Sequence, residues 1–123
     1  MNDWDLLRRE CPLLYKRGIA FACGPGWYNL IRDLSKKIEA VIERLRKHEA
    51  FFRGEEDEIY EIFAVQVKEK YGTLRFYMSR ETEEISDLIE EAEALSSQTC
   101  ERCGELGKMR GNIWLEVRCE KCY

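Results

Sequence analysis

The chain has 123 residues and a mass of 14.6 kDa, enough for one core that buries about two thirds of the unfolded surface. With 45% hydrophobic and 36% charged residues it is neither disordered nor collagen-like, and its longest apolar run, Ile19 to Cys23, is far short of a membrane span. The net charge of −4 is uneven: residues 51–100 hold 13 Asp/Glu against 5 Lys/Arg, so the basic domain typical of a nucleic-acid binder is missing.

The opening MNDWDLLRRE is acidic and amphipathic where a secretory leader is basic and then apolar, so a cytoplasmic location without membrane association is expected. Asp3 is the expected cap of a short first helix through Trp4, Leu6 and Leu7, ended by Pro12. Leu13 to Cys23 is apolar without a regular period, and Gly24-Pro25-Gly26 then opens the longest helix, roughly Trp27 to His48. Along it Trp27, Leu30, Ile31, Leu34, Ile38, Val41, Ile42 and Leu45 recur at steps of three and four and paint one apolar stripe. Asp33 with Lys37 and Glu43 with Lys47 are spaced as i,i+4 pairs on its outer face.

Arg53 to Glu58 reads as a polar connection. Ile59 to Glu69 and Thr73 to Ser79 read as two strands of an antiparallel hairpin, the second alternating Leu74, Phe76 and Met78 against Arg75 and Tyr77. Thr82 caps a third helix to about Ser96 that buries Ile85, Leu88, Ile89, Ala92 and Leu95. Residues 81–93 contain seven acids and no base, which a solvated face explains and which a basic partner would also suit. Ser96 to Thr99 is the linker-like stretch, dividing an α+β body (residues 1–98) from a small C-terminal module (residues 99–123).

That module carries the strongest signal. Cys100-x2-Cys103, fifteen residues, then Cys119-x2-Cys122 is the spacing of a four-thiolate zinc site, in which each pair straddles a tight turn that aims two sulfurs at one ion. Gly104 supplies backbone freedom after the first pair. Four protein ligands leave no open position, so a structural Zn2+ is expected; two redox pairs or reduced core thiols are the competing explanation. Lys108 to Arg118 reads as a hairpin, giving a zinc-ribbon-like unit docked on the body through residues such as Trp114. Cys11 and Cys23 have no matching partners and read as buried thiols.

Catalytic constellations are missing from the sequence. His48-Glu49 starts a metalloprotease motif, but Phe52 stands where its second histidine belongs. Cys103-Gly104-Glu105 has the spacing of a zinc deaminase, but Arg118 replaces the proline before the second pair. No enzyme is expected. Gly24 and Gly26 ahead of a long helix expose N–H groups to an anion, Trp27 and Tyr28 offer faces to a base, and Lys68, Lys70, Tyr71 and Arg75 form a basic, aromatic patch at the hairpin turn. These are the candidate ligand residues, although a turn with Trp27 as first core residue is the simpler explanation of the Gly-Pro-Gly segment, and ordinary turn chemistry explains the basic patch about as well.

CGPGWYNLI at 23–31, VQVKEKYGTLRFY at 65–77, TCERCG at 99–104 and WLEVRCEKC at 114–122 together resemble a family of small bacteriophage and prophage proteins of unassigned activity. The resemblance implies a phage setting and a zinc module and transfers no catalytic residue. The reading is a non-enzymatic phage accessory protein that binds a host component, either sequestering a defence nucleotide as an anti-defence protein or blocking a host protein, as a monomer or a homo-oligomer. The alternative is a nucleic-acid-binding regulator that uses Arg102, Lys108, Arg110, Arg118 and Lys121 of the module, and a structural virion component is a third.

Overall fold

The computed structural model describes residues 2–48 and 62–123; the connection expected over Arg53–Glu58 and the strand residues expected at 59–61 lie outside them. Helix α1 (Asp3–Glu10) is capped by Asn2 rather than Asp3: the Asp5 N–H donates to Asn2 Oδ1 at 2.8 Å, and the Asp5 carboxylate reaches back to the Asn2 N–H. Asp3 and Asp5 in its first turn and Arg8 and Arg9 in its last complement the helix dipole.

The apolar but irregular segment contains a strand that alternation does not reveal, β1 (Phe21–Ala22), two residues long. After a 3₁₀ turn (Pro25–Trp27), helix α2 (Tyr28–Lys47) runs 20 residues and buries Ile31, Leu34, Ile38, Val41 and Ile42 along the expected stripe. Its outer face differs from expectation. Among the described residues neither Asp33–Lys37 nor Glu43–Lys47 closes to an ion pair; Arg32 and Lys36 reach Glu10 of α1 instead, and Arg44 pairs with Glu84.

Strands β2 (Ala64–Lys70) and β3 (Thr73–Met78) form the expected antiparallel hairpin, with Val67 opposite Phe76 and Lys68 opposite Arg75. Tyr71 and Gly72 turn it with φ of 53° and 88°, the two positive values a two-residue primed turn requires. β1 adds in parallel to β2, Phe21 opposite Val67, so the sheet is three-stranded and mixed, in the order β1-β2-β3. Helix α3 (Glu83–Ser96) starts at the expected cap, Thr82, whose hydroxyl accepts from the Ile85 N–H.

The core lies between the three helices and the sheet face that carries Val67, Leu74 and Phe76. Helix α3 also finishes the sheet. The outward N–H groups of β3 at Leu74 and Phe76 donate to Ser96 Oγ (2.9 Å) and Glu93 Oε2 (3.2 Å), so the edge strand is capped by side chains of a helix. Leu95, expected in the core, is 51% exposed, because it lies in an open groove between α2 and α3 with Leu30, Leu34 and Leu88, while Ser96 faces the sheet. None of the described helices is long and apolar enough to cross a membrane.

The C-terminal residues form a second, two-stranded antiparallel sheet, β4 (Lys108–Arg110) against β5 (Glu116–Arg118). Trp114 does not dock it: this side chain is 76% exposed at the loop between the strands. Hydrogen bonds to backbone carbonyls of residues 99 and 101 do so instead. Gly26 N–H donates to the Glu101 carbonyl at 2.7 Å, and Trp27 Nε1 donates to the Thr99 carbonyl at 2.9 Å. Ser96 to Thr99 is therefore no slack linker, since Ser96 is fully buried at the end of α3 and Thr99 anchors the core tryptophan.

Candidate metal centre

Two knuckles build the site. In the first, the Cys100 carbonyl accepts from the Gly104 N–H at 2.9 Å while the Cys100 N–H donates to the Glu105 carbonyl at 2.8 Å, and Gly104 takes a φ of 86° as the chain reverses. In the second, the Cys119 carbonyl accepts from the Cys122 and Tyr123 N–H groups at 3.3 and 3.1 Å. The Glu101 N–H donates to the Val117 carbonyl at 3.1 Å and pins one knuckle to the strand that leads into the other.

The four sulfurs thus converge. The Sγ atoms of Cys100, Cys103, Cys119 and Cys122 all lie within 4.8 Å of one another, with Cys103 and Cys119 at 3.5 Å. A tetrahedral ion with metal–sulfur bonds near 2.3 Å sets its ligands about 3.8 Å apart, so the cluster could hold a metal ion. Cys100 and Cys119 are buried and Cys122 is half-buried.

The electrostatics agree with that donor set. Burial alone would raise the Cys100 thiol, but backbone N–H groups of Cys103, Cys119 and Arg102 outweigh it and bring the pKa down to about 6. Cys122 is pushed up to about 12, first by the Cys119 sulfur beside it. Four adjacent thiols cannot all ionise on their own, and a cation at their centre removes that conflict.

The remaining candidates divide into two places. Gly24 and Gly26 are not open to an anion, because their N–H groups donate to the carboxylate and the carbonyl of Glu101. A Cβ on Gly26 would come 2.1 Å from the Cys100 carbonyl oxygen, so only glycine lets the 3₁₀ turn lie against the first knuckle. Trp27 is fully buried and offers no face to a base, while Tyr28 is half-buried with its ring edge-on to Trp4. Lys68, Lys70, Tyr71 and Arg75 do lie together, on and beside the hairpin. The residue that sequence reasoning missed is Glu101, which sits inside the first cysteine pair and reads there as filler.

Comparison with protein-family models, with curated proteins and with solved structures finds no match. The chemistry therefore rests on the residues themselves. Neither remaining thiol joins the cluster: Cys11 is buried in the core, Cys23 is half-buried, and burial pushes each up to about 12.

Proposed function

We propose that the protein is a non-enzymatic binding module whose C-terminal residues, Cys100, Cys103, Cys119 and Cys122, hold a structural Zn2+ in a zinc-ribbon-like unit. The observation that carries this is the convergence of four sulfurs within 4.8 Å on two knuckles. All-sulfur tetrahedral coordination suits Zn2+ or iron, and a site closed by four thiolates has no position left for water or substrate. When bound, the ion supplies charge neutralisation and a cross-link between the knuckles, and the protein's own N–H groups orient the sulfurs.

The setting is that of a cytoplasmic phage accessory protein acting on a host component. It is supported by the resemblance of the four sequence blocks to small bacteriophage proteins and by a cysteine spacing that suits metal-bound thiols, as a reducing compartment favours. Sequestration of a defence nucleotide through Gly24 and Gly26 has no support left, since Glu101 occupies their donors. Partner binding therefore falls to the exposed surface of the sheet and module.

Native mass spectrometry beside a denatured run tests the reading. One zinc per folded chain, without the visible absorption of iron thiolate, is expected. A folded protein without metal would overturn it.

A further inference from the structure

One face of the sheet packs on the helices; no helix or strand among the described residues covers the other. Because side chains alternate, Gln66, Lys68 and Lys70 of β2 share the open face with Tyr77, Arg75 and Thr73, their cross-strand partners. All six are exposed or half-exposed. The face holds three cations and no carboxylate, in a chain of net charge −4.

These cations are also unspent. Arg8, Arg32, Lys36, Arg44, Arg110 and Arg118 all pair with acids. Among the described residues Lys68, Lys70 and Arg75 pair with none: Lys70 lies over the Tyr71 ring, and Arg75 donates to Thr73 Oγ1 and the Leu74 carbonyl. The nearest carboxylate on β2, Glu69, is taken up by the Gly72 N–H at 2.7 Å.

Exposed aromatic rings flank the same charges. Tyr77 is 41% exposed on the face, Tyr71 stands at the turn, and Trp114, 76% exposed, lies at the turn end of the hairpin across a cleft of about 360 Å³ lined by Glu69, Lys70, Tyr71, Ile113 and Leu115. Three alternate residues of a strand span about 13 Å, room for two or three nucleotides on a sheet surface. Cations without counter-charges beside exposed rings match a ligand that carries phosphates and stackable bases together. The six residues of the face include no aliphatic side chain to pack on a folded protein partner.

Building on the reading of a non-enzymatic binding module, we propose that the open sheet face binds single-stranded nucleic acid. Lys68, Lys70 and Arg75 contact phosphates, and Tyr77, Tyr71 and Trp114 stack bases. The contacts assigned are to phosphates and to base faces, so binding is expected to be sequence-tolerant and common to DNA and RNA.

Fluorescence anisotropy of the zinc-loaded full chain tests this, with labelled oligo(dT) and oligo(U) of about 12 nucleotides as probes. Both are expected to bind and a duplex of the same length to bind at least about tenfold more weakly. The Lys68→Gln, Lys70→Gln, Arg75→Gln triple variant should reduce the log–log salt slope by about 2, since each lost phosphate contact removes about 0.7. Trp114→Ala should weaken binding about tenfold at unchanged zinc content and melting temperature. No binding by folded, zinc-loaded protein at about 50 mM salt would overturn the proposal while leaving the zinc reading intact. So would binding that the triple variant keeps and that Lys108→Gln with Lys121→Gln abolishes.

Discussion

The Gly24 N–H donates to the Glu101 carboxylate at 2.7 Å, joining positions 77 residues apart in the chain. Glu101 lies between Cys100 and Cys103, so the turn that aims these two sulfurs also presents its carboxylate and its carbonyl to the segment that starts α2. The cysteine cluster and the body are thereby joined by direct hydrogen bonds. Arg118, 3.7 Å away, holds the carboxylate from the other side.

Glu101→Ala tests that link without touching a ligand. A charge-assisted bond to a part-buried N–H is worth about 2 kcal/mol, and its removal also leaves Gly24 unpaired. A loss of about that size in urea unfolding, at an unchanged one zinc per chain, is the expected result. Glu101→Gln retains an acceptor and should lose less.

Removal of the metal should reach beyond the module. Without the ion the knuckles lose their cross-link, and with them the Thr99 carbonyl that accepts from Trp27 and the Glu101 carbonyl that accepts from Gly26. Chelation is expected to lower Tm by about 10 °C or more and to shift the fluorescence of buried Trp27, with both recovering on addition of zinc. An unchanged melt after complete zinc removal would show that the body stands independently.

Gly26→Ala should be among the most damaging single substitutions. Its methyl would sit 2.1 Å from the Cys100 carbonyl and 2.6 Å from the Gly104 nitrogen, both backbone atoms held by the first knuckle. Neither can yield without opening the metal site or the start of α2, and a cost of about 3 kcal/mol or more is expected. Loss of zinc affinity alongside stability would identify the knuckle as the part that gives way.

What could be read in the sequence is what repeats locally. The cysteine spacing, the α2 stripe, the Thr82 cap and the alternation from Leu74 to Met78 each state their structure within a few residues. Long-range decisions are not written there. Phe21 and Ala22 become a strand only because Val67 and Lys68 lie beside them, and two residues are too few to show a period. Trp114 was expected to dock because large apolar side chains are usually buried, yet the module is held by the close backbone approach of Gly26 to Cys100 and Glu101 and by hydrogen bonds of the Glu101 carboxylate and the Trp27 indole, pairings that composition does not show. Glu39 makes the same point: a buried acid in α2, it accepts from the Leu13 and Leu14 N–H groups at 3.1 and 2.8 Å and fixes the turn after α1. Helical spacing alone could not distinguish it from the solvated acids around it.

Glu39→Ala should therefore behave as a core substitution. Burial raises the carboxyl above its usual range against the pull of the two N–H donors, and the charge nonetheless has no substitute at this place. Truncation leaves two buried donors unpaired, for a loss of about 2 to 4 kcal/mol by urea unfolding. Glu43→Ala, on the exposed side of the same helix, should change stability by less than about 0.5 kcal/mol.

Thiol chemistry separates the two classes of cysteine. Iodoacetamide should leave all six unlabelled in the zinc-loaded protein, label Cys100, Cys103, Cys119 and Cys122 after chelation, and reach Cys11 and Cys23 only on unfolding. The same burial fixes a pH dependence. Burial pushes both thiols up to about 12, whereas in the unfolded chain they ionise near the ordinary thiol value of 9.0. Below that value both states hold the protons and the contribution to stability is complete; between it and about 12 the unfolded chain releases protons that the fold retains, so stability falls as pH rises. Cys11→Ala with Cys23→Ala should be less stable than the parent at pH 7.5 because of the space it empties, yet lose less between there and pH 10.5. Equal slopes for the two proteins, read from urea midpoints with zinc held constant, would mean that neither thiol is protected by the fold.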